Sequence, residues 1–252
     1  MRRWLLALVM LATPAAAAPV LAAEDIVSGL SQDQIEINSS YTGSDIVVFG
    51  TIERPSIAPG RDIVVVVRGP DTTVTVRRRD RIAGVWVNRD AAKFSGMPAF
   101  YFLASSRPLR DIAQPAVLDR YGLGAMHLTP SATGSNHDPL PFRQAAVRQL
   151  AAQHLYTEAP GAIDFHSENL FKTVVPIPAA VARGQYNVEV YLFRDGDVES
   201  VQSTPFFIDQ TGLERRLFNF AHNQPLGYGL LAVGMALLFG WATSVLMRRP
   251  GA

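Results

Sequence analysis

The chain has 252 residues, with 23 Lys plus Arg against 22 Asp plus Glu, and no cysteine. Thiol catalysis, disulfide exchange, thiolate metal sites and thioether lipidation are therefore excluded, and a folded body must be held by its hydrophobic core. Setting aside Arg2, Arg3, Arg248 and Arg249 leaves 19 basic against 22 acidic residues, a net of −3 that argues against nucleic acid as a partner.

Residues 1–23 read as a secretory signal. Arg2 and Arg3 form a charged start, Trp4 to Ala12 is apolar, and Thr13 to Ala23 is rich in small residues, with cleavage expected after Ala22 or Ala23. From Glu24 to Ser106 the chain reads as short strands. Gln34 to Ser39 alternates apolar and polar, Asp45 to Ile52 is β-branched and aromatic, and Asp62 to Val67 is a near-continuous Ile/Val run. Thr73 to Arg79, Ile82 to Asn88 and Ala99 to Ser105 complete the set, and Gly/Pro turns separate them. Arg77, Arg78, Arg79 and Arg81 cluster in an expected hairpin. They read as a solvated edge that discourages sheet-to-sheet association, with an anion or lipid-headgroup site as the alternative.

After Pro108 the pattern changes. Asp111 to Tyr121 and Phe142 to Tyr156 lack strand alternation, and Phe142, Ala146, Val147, Leu150 and Leu155 fall mostly on one helical face. A helical insertion is expected over residues 108–160. Within it, Gly122 to Pro141 reads as a long mobile loop, the kind of segment that often carries function. His127, His137 and Asp138 lie there, and with Glu158 or Asp164 they would form a ligand site if the fold brings them together. The H-x-E triplet His166-Ser167-Glu168 lacks the cysteine half of a deaminase zinc site. Hydrolase, metalloprotease and phosphate-loop motifs are missing, so no catalytic residue, cofactor or metal is expected.

Strands resume at Phe171 to Ile177 and at Tyr186 to Arg194. A tight turn at Asp195-Gly196 then starts a return strand from Val198. Tyr186 to Phe193 carries bulk at both parities, which predicts a central strand. Gly184 to Val188 looks like the tyrosine corner of immunoglobulin-like sandwiches, in which a tyrosine hydroxyl bonds back to nearby backbone. The expected body is an antiparallel, immunoglobulin-like β-sandwich over 24–210, interrupted by the helical insertion. Two β domains, with 24–106 closing alone, are the alternative.

Leu213, Leu217, Phe218 and Phe220 recur at helical spacing, which predicts an amphipathic juxtamembrane segment over 211–224 on the headgroups. The stretch from Leu226 to Met247 contains no Asp, Glu, Lys, Arg or His and, as a helix, is roughly 33 Å long, enough to cross the hydrocarbon core. Residues 225–247 are therefore the expected span and 248–252 its tail. Ala232, Ala236, Gly240 and Ser244 recur every four residues, a strip along which another helix could pack closely. Arginine pairs flank the span on both sides, so the positive-inside rule alone leaves a tie. The export signal breaks it, placing the body in the periplasm and the tail in the cytoplasm.

Four motifs carry a resemblance. They are Val66 to Pro70, Gly84 to Asn88, Pro98 to Tyr101 with Ser105 to Leu109, and Tyr191 to Gly196, with Tyr228-Gly229-Leu230 opening the span. Together they resemble the "putative transmembrane protein" family of alphaproteobacteria over essentially the whole chain. The resemblance implies an inner-membrane protein with a periplasmic body and assigns no functional residue. The expected function is a bilayer-anchored interaction or accessory module that docks on another inner-membrane protein or self-associates. An envelope enzyme or small-ligand binder with its site in the 122–141 loop is the alternative.

Overall fold

The computed structural model describes residues 25–38, 40–53, 60–82, 84–134, 138–157, 159–210 and 220–247. The signal at 1–23, His137, Glu158, Leu213, Leu217, Phe218 and the tail at 248–252 lie outside them. Among the described residues the chain is mostly β, with three sheets, few helices and one long C-terminal apolar helix.

The first sheet has four strands in the order β1 (Asp25–Leu30), β3 (Gly43–Glu53), β11 (Leu170–Pro178) and β10 (Asp164–Phe165). The second has six, in the order β2 (Gln34–Ile37), β13 (Asp197–Gln210), β12 (Gly184–Arg194), β4 (Arg61–Arg68), β7 (Tyr101–Ser105) and β9 (Gly161–Ala162). The two sheets face each other. Ile46, Val48, Phe171 and Val175 from the first meet Ile63, Val65, Val67, Val188 and Val190 from the second in one apolar core. Strands from before and after the helical segment share both sheets, since β3 pairs with β11 and β2 with β13.

The other face of the six-stranded sheet is buried as well. Val64, Val66, Leu103, Tyr191 and Phe193 pack under α1 (Leu109–Ile112), α2 (Pro115–Tyr121), α3 (Leu140–Ala152) and the root of a hairpin, β5 (Asp71–Ile82) with β6 (Val85–Pro98). A strand covered on both faces needs apolar residues at both parities, and β4 and β12 have them. This third layer goes beyond the two-layer sandwich expected from the strand pattern. The sheets are also not wholly antiparallel, because β2 joins β13 and β9 joins β7 in parallel at the sheet edges.

The hairpin is longer than its local propensities suggest. β6 runs on through Ala91, Ala92, Lys93 and Gly96, poor strand formers, because Ala92, Phe94 and Met97 are buried against the second core. Within the expected Gly122 to Pro141 loop, residues 135–137 lie outside the described residues and other parts are tied to the body. β8 (Ser131–Thr133) pairs with Lys93 to Ser95 of β6, and Arg143 Nη1 donates to the Leu128 carbonyl at 3.2 Å.

Two local features match their sequence signals. Asp195 and Gly196 both have positive φ, 51° and 93°, closing the β12–β13 hairpin. Tyr186 is fully buried and its hydroxyl donates to the Ala182 carbonyl at 2.5 Å. In the first sheet, Gly50 lies opposite Phe171, whose ring atom Cζ is 2.5 Å from where a β-carbon on Gly50 would stand. Glycine is the residue that lets that ring reach the core. Gly50→Ala is expected to destabilise by about 2–3 kcal/mol through overpacking. Tyr186→Phe, which removes one hydrogen bond to a carbonyl on an exposed residue, should cost about 1 kcal/mol. Urea unfolding of the detergent-solubilised chain checks both, and equal losses would remove the distinction between steric and polar constraint.

Candidate functional site

The helical layer is tied to the six-stranded sheet by a polar network. Arg68, ending β4, donates from Nη1 to Glu189 Oε2 at 2.7 Å and from Nη2 to the Tyr121 and Gly122 carbonyls at 2.6 and 3.2 Å. Tyr191 donates to the same Glu189 oxygen at 2.7 Å. Tyr101 donates to the Gly122 carbonyl at 2.9 Å and accepts from the Gly124 amide at 2.7 Å. The C-terminus of α2 and the turn after it, the front of the expected loop, are thereby tied to the sheet. Burial pushes the Tyr101 hydroxyl up to about 12, against a smaller opposing pull from the Gly124 amide. Burial raises Tyr156, Tyr186 and Tyr191 as well.

His127 follows that turn, and its Nδ1 lies 2.6 Å from Asp119 Oδ1 of α2. It stands at the lip of a cleft of about 1230 Å³ where β4 begins and β7 ends, lined among others by Asp62, Ser106, Arg107 and Leu118. An imidazole oriented by a carboxylate can relay a proton. The hydroxyl at hand is otherwise committed, because Ser106 Oγ donates to Asp62 Oδ1 at 2.7 Å and accepts from the Ile63 amide at 3.2 Å. Buried Asp62 is also held by Arg107, through Nε at 2.8 Å and through Nη2. Asp138 Oδ1 accepts from the Leu140 amide at 3.0 Å and so serves the start of α3. Asp164 lies on β10, in register with Lys172. Among the described residues no three His, Asp or Glu side chains are grouped as metal ligands.

The surfaces that face outward are more distinctive. On the solvent side of the four-stranded sheet, Val27, Phe49, Leu170 and Val174 are all between 43% and 45% exposed. Register sets them around Thr51 and Lys172: Val27 and Leu170 flank Thr51, Phe49 lies opposite Lys172, Val174 lies opposite Val47, and the Phe49 ring covers Gly29. This stripe was not anticipated. Its signal is present in β3 and β11, whose Val47, Phe49, Leu170 and Val174 are apolar at the parity opposite the core. The long helix, α4 (Pro225–Met247), is long and apolar enough to cross a membrane, and its candidate span Pro225–Ser244 buries nothing against the described body. Ala232, Ala236, Gly240 and Ser244 are all exposed on it, and a β-carbon on Gly240 would meet nothing within 4 Å. Thr243 Oγ1 donates to the Phe239 carbonyl at 2.6 Å, which keeps its hydroxyl satisfied without water. Phe220, of the juxtamembrane set, packs edge-on against Tyr228 with ring centroids 6.1 Å apart.

The profile of the family described as "Putative transmembrane protein (Alph_Pro_TM)" matches residues 25–249, and the chain belongs to that family. No curated protein is a match for it. The family and the one candidate span among the described residues together make this a membrane protein anchored near its C-terminus.

The tyrosines set the alkaline limit of stability. All four are protonated in the folded chain at a pH where the unfolded chain, with tyrosine near 10, has begun to ionise. Their stabilisation is complete below pH 10 and is lost as pH rises toward the folded-state values. At pH 11 the loss should be on the order of 1.4 kcal/mol for each tyrosine. Tyrosinate absorbance that rises together with loss of fold between pH 10 and 12, rather than before it, is the expected observation.

Proposed function

We propose that this member of a transmembrane protein family is a bilayer-anchored accessory module whose β body docks on another inner-membrane protein. The observation that carries the reading is the apolar stripe Val27, Phe49, Leu170 and Val174, exposed on a sheet of a body that a single helix holds at the membrane. Apolar side chains gathered on one outward sheet face, with Thr51 and Lys172 among them, favour association, and the tether confines the search for a partner to the membrane plane. The commitment of His127, Asp138, Asp62 and Ser106 to structural partners supports a binding role over a catalytic one. In this reading α4 adds a second contact, the strip Ala232, Ala236, Gly240 and Ser244 receiving a partner helix or a second copy.

A photoreactive phenylalanine analogue at Phe49 or Val174 should cross-link a discrete membrane protein in living cells, while the same group at Gln149, exposed on α3, should not. Phe49→Lys with Val174→Lys should abolish co-purification of that protein. Gly240→Leu should weaken it several-fold, and Leu238→Ala should leave it intact. No cross-link above the Gln149 control would remove the docking reading.

The body is proposed to lie in the periplasm, from the export signal at 1–23 and Arg248 and Arg249 after the span. Protease added outside spheroplasts should digest the body and spare a tag on Ala252. A protected body with an accessible tag would reverse the orientation.

A further inference from the structure

The β5–β6 hairpin leaves the second core after Val76 and Ala92, which lie opposite each other. From Arg77 to Ala91 no described side chain is buried. Six residues of strand reach from Arg77 to Ile82, so the arm projects about 20 Å from the body. In its root, between Thr72 and Thr73, the hairpin has a bulge where Gly96 takes a φ of 76° as the extra residue of the facing strand. A second bulge follows between Arg78 and Arg79. Along this ribbon the side chains are sorted by depth. The first rungs carry Val85 opposite Ile82, Trp86 opposite Arg81 and Val87 opposite Asp80. Val85, Trp86 and Val87 are 64%, 66% and 43% exposed. Behind them come Arg79, Arg78, Arg89 and Arg77, all exposed. The one acid in the forward rungs, Asp80, lies 3.6 Å from Arg89 and 3.9 Å from Arg78. Residues 77–90 hold five arginines and two aspartates, a net of +3, on a chain whose balance without its terminal arginines is −3.

Edge protection accounts for the arginines alone. It does not account for a tryptophan and two valines at the free end, which would promote association rather than prevent it. Apolar groups at the extremity, with Arg81 among them donating from Nε to the Gly84 carbonyl at 3.3 Å and a collar of four further guanidinium groups behind, follow the vertical order of a bilayer surface. The acyl boundary lies deepest and the phosphates above it, at a depth of about 5–10 Å for an inserted apolar face. Tryptophan favours that boundary, and arginine binds phosphate oxygens in a bidentate manner while its stem lies on apolar surface. The membrane is the one partner that the chain already brings to itself, since α4 is part of the same molecule. We infer that the tip of the β5–β6 arm is a second membrane contact, in which Val85, Trp86 and Val87 enter the headgroup boundary of an anionic phospholipid leaflet and Arg77, Arg78, Arg79, Arg81 and Arg89 bind its phosphates. The inference rests on the span and not on the docking stripe, so cross-linking from Phe49 stands or falls separately.

Because the chain has no cysteine, Val85→Cys gives one labelling position for a polarity-sensitive fluorophore on the full-length protein. In nanodiscs of phosphatidylcholine with roughly a third phosphatidylglycerol, the label should shift to the blue and be quenched by doxyl-labelled lipid. In pure phosphatidylcholine, or at about 1 M salt where the screening length is about 3 Å, quenching should fall several-fold. Arg77→Glu, Arg79→Glu and Arg81→Glu combined should abolish it, the corresponding lysine triple should keep most of it, and all of these positions are exposed, so thermal unfolding should not change. A label on Gln149→Cys should stay in water throughout. The inference is overturned if the Val85 label is equally wet in both lipids, if the charge-reversed arm is quenched as before, or if protection appears only when a membrane-protein extract is added.

Discussion

Burial of one sheet on both faces is the constraint from which the rest of the architecture follows. Ile63 to Val67 are all essentially inaccessible, alternating between the core shared with the four-stranded sheet and the core under the helices. At roughly 1.5–3 kcal/mol per buried aliphatic side chain, these five residues contribute on the order of 10 kcal/mol, and only if both covering layers are in place. β12 repeats the arrangement, with Val188 and Val190 to one side and Tyr191 and Phe193 to the other. A chain with β4 and β12 side by side cannot stop at two layers. The helical segment and the hairpin root are therefore structural necessities before they are anything else.

The polar groups of the helical layer follow from the same requirement. Bringing α2 against a sheet of tyrosines and valines exposes backbone carbonyls at its C-terminus to an apolar surface, and Arg68 and Tyr101 satisfy those of Tyr121 and Gly122. Arg68 in turn needs a countercharge, supplied by Glu189, which Tyr191 also bonds. His127 and Asp119 lie at the margin of this arrangement. Their pairing has an evident structural use, holding the turn after α2 to the helix itself, and so it does not require a reaction to explain it.

What could be read from residues alone was what depends on neighbours in sequence. The Ile/Val run of β4, the bulk at both parities of β12, the Asp195-Gly196 turn, the Tyr186 corner bond and the uncharged C-terminal helix are each local patterns with one physical interpretation. Long-range register was not legible. That the second half of β6 is a strand is decided by Ala92, Phe94 and Met97 finding the second core, against the preference of the lysine, glycine and alanines around them. The parallel edge pairs β2–β13 and β7–β9 leave no local trace, because either edge could have been capped by another segment. The expected ligand loop illustrates the limit most directly. Its polar composition is real, but Ser131 to Thr133 add to a sheet edge and Asp138 bonds the start of α3, and neither pairing is encoded in the loop's own composition.

The outward surfaces have a different logic from the core. The stripe Val27, Phe49, Leu170 and Val174 and the Val85 to Val87 tip each leave apolar surface where water meets it, outside both cores. In β3 the residues facing inward already supply Ile46, Val48 and Ile52, so valine and phenylalanine at positions 47 and 49 add nothing to that core. In the hairpin, burial along β6 begins only at Ala92 and Phe94, after Arg89 and the tip have passed. Under the two proposals above, that surface is offered to an apolar environment outside the chain. The molecule carries its own route to one, since α4, 23 residues without Asp, Glu, Lys, Arg or His, is long and apolar enough to cross a membrane. A body tethered to a bilayer would meet a lipid surface and its proteins at a far higher effective concentration than a free domain, so in the proposed readings modest exposed patches suffice for contact.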